Sequence, residues 1–167
     1  MLEPMGTPTF ITELRHHIGH APLWLAGAET FVLRDGDTGP EVLLFRRTDD
    51  GEWAGIAGIV EPGEHPATTA VREAKEEGCI DIEIERLLWI RVTEERAYPN
   101  GDRCQFLNHG FRARIRSGEP GIGDGEASDW GWFPVDRLPT PLQRGTDGLV
   151  RICVADPDDV VMDLSGW

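Results

Sequence analysis

Three glutamates, Glu73, Glu76 and Glu77, crowd one short stretch, GIVEPGEHPATTAVREAKEEGCI, at residues 58–80. At about 100° per residue a helix would bring them onto one arc. Like charges at such spacings repel by about 0.2–0.5 kcal/mol per pair, and a bound cation would offset that repulsion. Hard divalent ions such as Mg²⁺ take carboxylate, carbonyl and water oxygens in an octahedron. Glu76 and Glu77 can supply carboxylates, and the backbone around Gly58 a carbonyl. Arg72 adjoins the acidic arc and can grip a carboxylate by a forked hydrogen bond. Glu64 precedes the first turn, where the helix dipole favours an anion. The plain alternative is a solvated acidic face balanced by Arg72 and Lys75.

The helix that must carry these groups is predicted to start at Pro66, where a missing N–H is harmless, and to end at Gly78. Ala67, Ala70, Val71 and Ala74 form a narrow face of small apolar residues suited to packing on a sheet. Apolar runs at 31–34 and 41–47, separated by DGDTGP, read as a hairpin. Residues 47–58 read as a loop returning to a short strand. DIEIERLLWIRV (81–92) and CQFLNHGFRARIR (104–116) read as strands joined through Asn100-Gly101. A glycine-rich acidic loop at 117–128 leads to a strand at 130–135 and a helix within 141–155. PTFITELRHHIGH (8–20) carries Phe10, Ile11, Leu14 and Ile18 on one helical stripe, stopped by Gly19. That stripe packs on the domain itself or on a second copy, so a homodimer is a possible partner state. Strands before and after one central helix imply an α/β fold with a mixed sheet between helices.

A chain of 167 residues suits one domain. The boundaries expected are an N-terminal helical extension at 1–22, the main domain at 23–156 and a C-terminal tail at 157–167. With 16 basic and 30 acidic residues the formal charge is −14. That argues against a sequence-independent grip on polymeric nucleic acid; a small phosphate ligand is compatible if metal ions intervene. No apolar run is long enough to span a membrane, and the first residues show no secretion signal. Cys79, Cys104 and Cys153 have no metal or redox spacing and read as reduced thiols of a cytoplasmic protein. His16, His17, His20, His65 and His109 likewise show no ligand spacing.

Residues 58–80 resemble the signature of the Nudix hydrolases (MutT-like), G-x5-E-x7-R-E-U-x-E-E-x-G-U with U apolar. Gly58, Glu64, Arg72, Glu73, Glu76, Glu77 and Ile80 match at the right intervals. Two positions depart: Ala74 is a small residue at an apolar position, and Cys79 replaces the late glycine, with Gly78 one residue earlier. The resemblance implies a Nudix-type α/β/α sandwich. It also implies an Mg²⁺- or Mn²⁺-dependent pyrophosphohydrolase acting on a small nucleoside diphosphate derivative. Substrates of that kind are a nucleoside triphosphate, a nucleotide sugar, ADP-ribose or a dinucleoside polyphosphate. Carried onto this chain, Glu76 and Glu77 are the main metal ligands, and Glu73 is a ligand or a water-orienting base. Gly58 lends its carbonyl, and Arg72 and Glu64 hold the carboxylates.

The family often takes one further acid from a distant loop. Here Glu126 is the first candidate, with Asp124 and Asp129 as alternatives. Arg46, with Arg47 beside it, is a candidate for substrate phosphates. Trp53 either packs in the core or flanks a base. Tyr98 stands near an offset used by enzymes that cleave dinucleoside polyphosphates, or else buttresses its turn. The proline that marks many ADP-ribose pyrophosphatases is absent, Glu95 and Arg96 standing there. Two readings compete with the enzyme. One is a non-catalytic nucleotide-sensing module on the same fold; the other is a metal-stabilised structural domain. The intact glutamates argue against the sensor.

Overall fold

A computed structural model of the chain describes residues 7–98 and 100–162. Its elements run α1 (Thr9–Ile18), β1 (Leu23–Gly36), β2 (Gly39–Arg47), β3 (Trp53–Ala54), β4 (Ile56–Ile59), α2 (Pro66–Gly78) and β5 (Asp81–Val92). There follow β6 (Arg96–Ala97), β7 (Arg103–Ser117), β8 (Ala127–Pro134) and α3 (Thr146–Ala155). The sheet has the order β3-β2-β1-β7-β5, with β4 on β1, β6 on β7 and β8 on β2. β1 and β7 pair parallel, from Leu23 beside Cys104 to Val32 beside Ala113; the other pairings are antiparallel. This is the expected mixed sheet between helices.

α2 covers one face. Ala70 and Ala74, 1% and 0% exposed, meet Ala28, Phe111, Val32 and Ala113. Small side chains let the helix backbone come close to the strands. Val71, expected on this face, is instead 36% exposed, and Thr69 is buried in its place. The apolar arc is one residue narrower than the pattern implied, because the Thr69 hydroxyl has an interior acceptor, Glu64 Oε2, at 2.8 Å.

The other face is shared. α3 seals a core of Phe31, Val42, Leu44, Trp53, Leu88 and Trp89. At about 25 cal/mol per Å² of apolar area, each such large side chain contributes roughly 2–3 kcal/mol. α1 covers the end of the same face, where Ile11 and Phe10 pack on Leu25, Cys104 and Phe106. Arg15 fastens α1 down, donating to the carbonyls of Gly19, Ala21 and Arg103 at 2.9, 2.6 and 3.1 Å. The first half of the α1 stripe therefore finds its partner surface on its own sheet; Leu14 and Ile18 stay 40% exposed.

Three element boundaries differ from expectation. β1 begins at Leu23, eight residues before the apolar run that marked it, because its first half is built from Ala26, Gly27 and Ala28, poor strand formers. α3 begins at Thr146 rather than near 141. Gly145 sits at φ 86°. Ahead of it the chain is extended, with Trp53 N–H bonded to the Pro141 carbonyl and Gln143 N–H to the Trp53 carbonyl, each at 2.9 Å. In the tail, Val161 pairs with the edge of β5, its N–H on the Leu88 carbonyl at 2.8 Å. The remaining tail residues, 163–167, lie outside the described residues, as does Pro99 in the 97–104 turn.

The cap of α2 resolves the displaced glycine. Gly78 stays helical, and Cys79 itself adopts the left-handed conformation, at φ 59° and ψ 20°. Ile80 N–H reaches back to the Ala74 carbonyl at 3.3 Å to close the cap. The helix end is unshifted, and the departure is strain at one residue. Cys79→Gly is expected to stabilise the protein by about 1 kcal/mol, read as a higher urea midpoint at unchanged m.

Candidate active site

The acidic arc of α2 is organised by one cation. Arg72 spends every N–H it has. Nε and Nη2 donate to the two oxygens of Glu64 at 2.9 and 3.1 Å. Nη1 donates to Glu73 at 2.8 Å and to Glu76 at 2.9 Å, and Nη2 also reaches the Ile59 carbonyl at 3.2 Å. Glu64 further accepts from the Thr69 hydroxyl and the Glu61 N–H. Arg72 above all, with those two donors, holds the Glu64 carboxyl at a pKa of about 2. Glu64 is thus a permanently charged strut joining the loop before α2 to the helix.

Glu73 and Glu77 behave oppositely. Burial raises the Glu73 carboxyl to about 7, with Glu76 and Glu126 adding to the rise and Arg72 opposing it. Glu77 is only 8% exposed. Burial pushes its carboxyl up, helped by the charges of Glu73, Glu126 and Asp124 and opposed by Arg47. No hydrogen-bond donor reaches its carboxylate among the described residues. The acidic arc is therefore half interior: Glu76 keeps a side chain 51% exposed while Glu73 keeps 14%.

What buries Glu77 is the glycine-rich loop after β7. Gly121 N–H bonds the Gly78 carbonyl at 3.0 Å and Gly123 N–H bonds the Glu77 carbonyl at 2.9 Å. These are orphan acceptors at the end of α2, so the loop serves as a cap. The approach is close enough that a Cβ on Gly123 would stand 1.7 Å from the Glu76 carbonyl oxygen. At the next residue, Asp124 Oδ1 accepts the Glu126 N–H at 2.9 Å, and the Glu126 carbonyl accepts from both the N–H and the hydroxyl of Thr48. Glu126 and Asp124 are so brought near Glu73 and Glu77. Asp129 is not: it lies on β8, accepts the Trp130 N–H at 2.8 Å and contributes to none of these shifts.

Gly58 closes the site from the sheet side. A Cβ there would lie 2.0 Å from Glu73 Oε1, so the carboxylate rests on the bare Cα. Gly58→Ala is expected to evict Glu73 and lower kcat at least tenfold, with circular dichroism unchanged.

The three residues expected at the substrate lie elsewhere. Arg46 is exposed and donates to the Gly51 carbonyl at 3.1 Å. Its neighbour Arg47 turns toward the acids, as strand alternation requires, and holds Asp49 at 3.0 and 2.6 Å. Trp53 is a core residue, 9% exposed, edge-on to Phe133 at 4.9 Å. Tyr98 packs in the apolar cluster beneath α1, with the Arg96 guanidinium 5.2 Å from its ring centre. Thr48 and Gly123, which hold the loop acids against α2, belong to no motif in the sequence. The repeated glycines Gly121, Gly123 and Gly125 were the available sign that backbone would press on backbone there. A cavity of about 540 Å³ beside Trp132 and Gly118 includes none of these acids, and its Arg34, Arg112 and Arg114 already pair with Glu41, Glu85 and Glu83.

Among the described residues no three acidic, imidazole or thiol groups converge on one point, since Glu73 and Glu76 share Arg72 instead. The donor set still fits a hard divalent ion by its chemistry. It is all carboxylate oxygen, and it includes a buried acid that no donor reaches at hydrogen-bonding distance among the described residues.

A mixed sheet between helices, with an Arg-organised acidic helix capped by an acid-bearing loop, defines a class of its own. The NUDIX domain model matches residues 26–151, and the chain belongs to that family. It is 37% identical over 109 residues to the NAD-capped RNA hydrolase NudC of Pseudomonas aeruginosa, covering 64% of this chain and 36% of that protein. It is 32% identical over 144 residues to the mouse 8-oxo-dGDP phosphatase NUDT18, covering 84% of this chain and 40% of that one. The chain thus spans well under half the length of these curated relatives. The crystal structure of a MutT NUDIX hydrolase from Burkholderia pseudomallei superposes with a TM-score of 0.59 at 27% identity, covering 77% of this chain and 97% of that one. No helix among the described residues is long and apolar enough to cross a membrane.

Proposed function

We propose that this chain is a cytoplasmic Mg²⁺- or Mn²⁺-dependent hydrolase that cleaves a phosphoanhydride bond in a nucleoside diphosphate derivative. The observation that carries the reading is Glu77, a buried carboxylate with no donor partner beside three more acids. Such a group calls for a cation, and the described residues offer it none at hydrogen-bonding distance. Glu76 and Glu77, with Glu73 and the Gly58 carbonyl, would hold the ion, and Glu126 or Asp124 would complete the set. When bound, the ion neutralises pyrophosphate charge and acidifies a coordinated water.

The chain's own residues do the rest. Glu64 and Arg72 hold the helix face rigid, so the carboxylates keep their spacing. Glu73 serves either as a ligand or as the base that takes a proton from water; Glu126, raised by burial and by Asp124, is the other candidate for the base. Arg47, beside the acids, is placed to meet phosphate oxygens. A net charge of −14 favours a small nucleotide over a polymer. The names of the relatives supply further substrates to try, a capped RNA and 8-oxo-dGDP among them.

The test is a panel of these nucleotides with and without Mg²⁺, products identified by mass. Metal-dependent release of a phosphate or nucleoside monophosphate is the expected result. Tight binding with no cleavage of any member would make the chain a sensor and overturn the proposal.

A further inference from the structure

β1 and β7 pair in parallel from Leu23 beside Cys104 to Val32 beside Ala113, and there they part. β1 runs on to Gly36 with β2 as its strand partner, and β7 runs on to Ser117 with β5. Among the described residues no strand lies between the two ends, so the sheet forks. The cavity of about 540 Å³ occupies this fork. Leu33, Arg34 and Asp35 line it from β1, and Arg112, Arg114 and Ile115 from β7. Val154 of α3 and residues 118–120, at the start of the capping loop, complete the wall.

The fork lays main chain bare. In an antiparallel pair, residues alternate between bonding each other and turning their N–H and C=O away. Pro40, opposite Asp35, has no N–H to give, and its carbonyl accepts the Val135 N–H at 3.2 Å on the other edge of β2. Asp35 therefore aims its own N–H and C=O away from β2, into the fork. A strand edge with open donors and acceptors is a template for another extended chain. The charge of the lining narrows the choice. Arg34, Arg112 and Arg114 are each held by a glutamate, at 2.7, 2.8 and 2.9 Å. Asp35 and Glu119 line the fork with no ion pair among the described residues. The unbalanced charge is negative, and its complement is basic.

We propose that the fork binds an extended basic peptide by strand addition. The peptide main chain pairs with Asp35, and its Lys or Arg side chains meet Asp35 and Glu119. Alternate apolar side chains have Leu33, Ile115 and Val154 to pack on. None of the α2 acids lines this site, so it stands independently of the nucleotide reading.

Fluorescence anisotropy on the full chain tests it with a labelled, acetylated and amidated Lys-Val-Lys-Val-Lys peptide. One control is the corresponding Glu-Val-Glu-Val-Glu peptide. The other is the lysine peptide N-methylated at every main-chain amide, which keeps the charge and loses the donors. The lysine peptide is expected to bind at least tenfold more tightly than either. Asp35→Lys and Glu119→Lys should each weaken it about fivefold, the worth of an exposed ion pair. Glu13→Lys, the same charge change on exposed α1, should leave it within about twofold. Amide hydrogen exchange at Asp35 should slow at least tenfold in the complex. At constant ionic strength, millimolar Mg²⁺ should not displace the peptide. Equal binding of the N-methylated peptide, displacement by Mg²⁺, or full affinity in Glu119→Lys overturns the proposal. So does a dimer in sedimentation that Asp35→Lys breaks and the peptide does not, which would make a second copy the occupant. Neither metal nor turnover enters the readout, so this proposal and the hydrolase reading fail separately.

Discussion

Glu77→Gln is expected to lower kcat about a thousandfold while the metal-free protein melts at a higher temperature than wild type. The two effects have one cause. The Glu77 carboxylate is buried, faces Glu73, Glu126 and Asp124, and has no donor among the described residues. Ionised without a cation it destabilises the fold, and an uncharged amide of the same shape relieves that repulsion. The same exchange removes a charged oxygen donor. A metal-stabilised transition state typically draws several kcal/mol from its ion, and about 4 kcal/mol corresponds to a factor near 10³. Steady-state kinetics with saturating Mg²⁺, beside melting curves in chelator, decide the matter. Wild-type turnover in the variant would refute the ligand assignment.

The second large effect is a stability profile that reverses with metal. Glu73 titrates near 7 in the fold against 4.5 when free. A carboxyl with a raised folded value contributes stability that is present below pH 4.5 and is lost as pH rises through about 7. At about 1.4 kcal/mol per unit, Glu73 alone accounts for a loss on the order of 3 kcal/mol, or about 10 °C in Tm for a domain of this size. Glu64 acts in the other direction and in a separate window, its stabilisation fading as pH falls from 4.5 to about 2. Metal-free protein should therefore melt highest near pH 4.5 and progressively lower toward pH 8. Millimolar Mg²⁺ should lift the high-pH side, because an ion favours the charged carboxylates. Glu73→Gln should flatten the decline. A wild-type Tm that does not fall between pH 5 and 8 in chelator would show that the acids are better solvated than their burial implies.

Much of this was legible in the residues. The bounds of α2, Pro66 to Gly78, followed from a proline and a glycine, and the acidic face from helical spacing. The β5–β7 hairpin followed from two long apolar runs flanking Asn-Gly. What stayed hidden depends on contacts distant in sequence. Glu77 reads as a solvated charge until a loop more than forty residues away covers it. Ala26-Gly27-Ala28 carries no strand signal, because the need for small side chains there is set by Asn108 and α2. Trp53 and Arg46 are cross-strand partners, and strand alternation turns both to the face away from the acids. Cys79 is the opposite case: it breaks the glycine pattern, yet the backbone keeps the left-handed conformation there and tolerates the strain.

The parallel pairing of β1 with β7 also bears on how the molecule comes into being. α2 can form from its own residues, but Glu126 reaches it only after strands some eighty residues apart have found each other, since the capping loop hangs from the end of β7. Closing so long a loop is slow. During synthesis the acidic helix would exist for a time as an ordinary polar segment, and affinity for divalent ions would arise late, as one of the last properties the chain acquires.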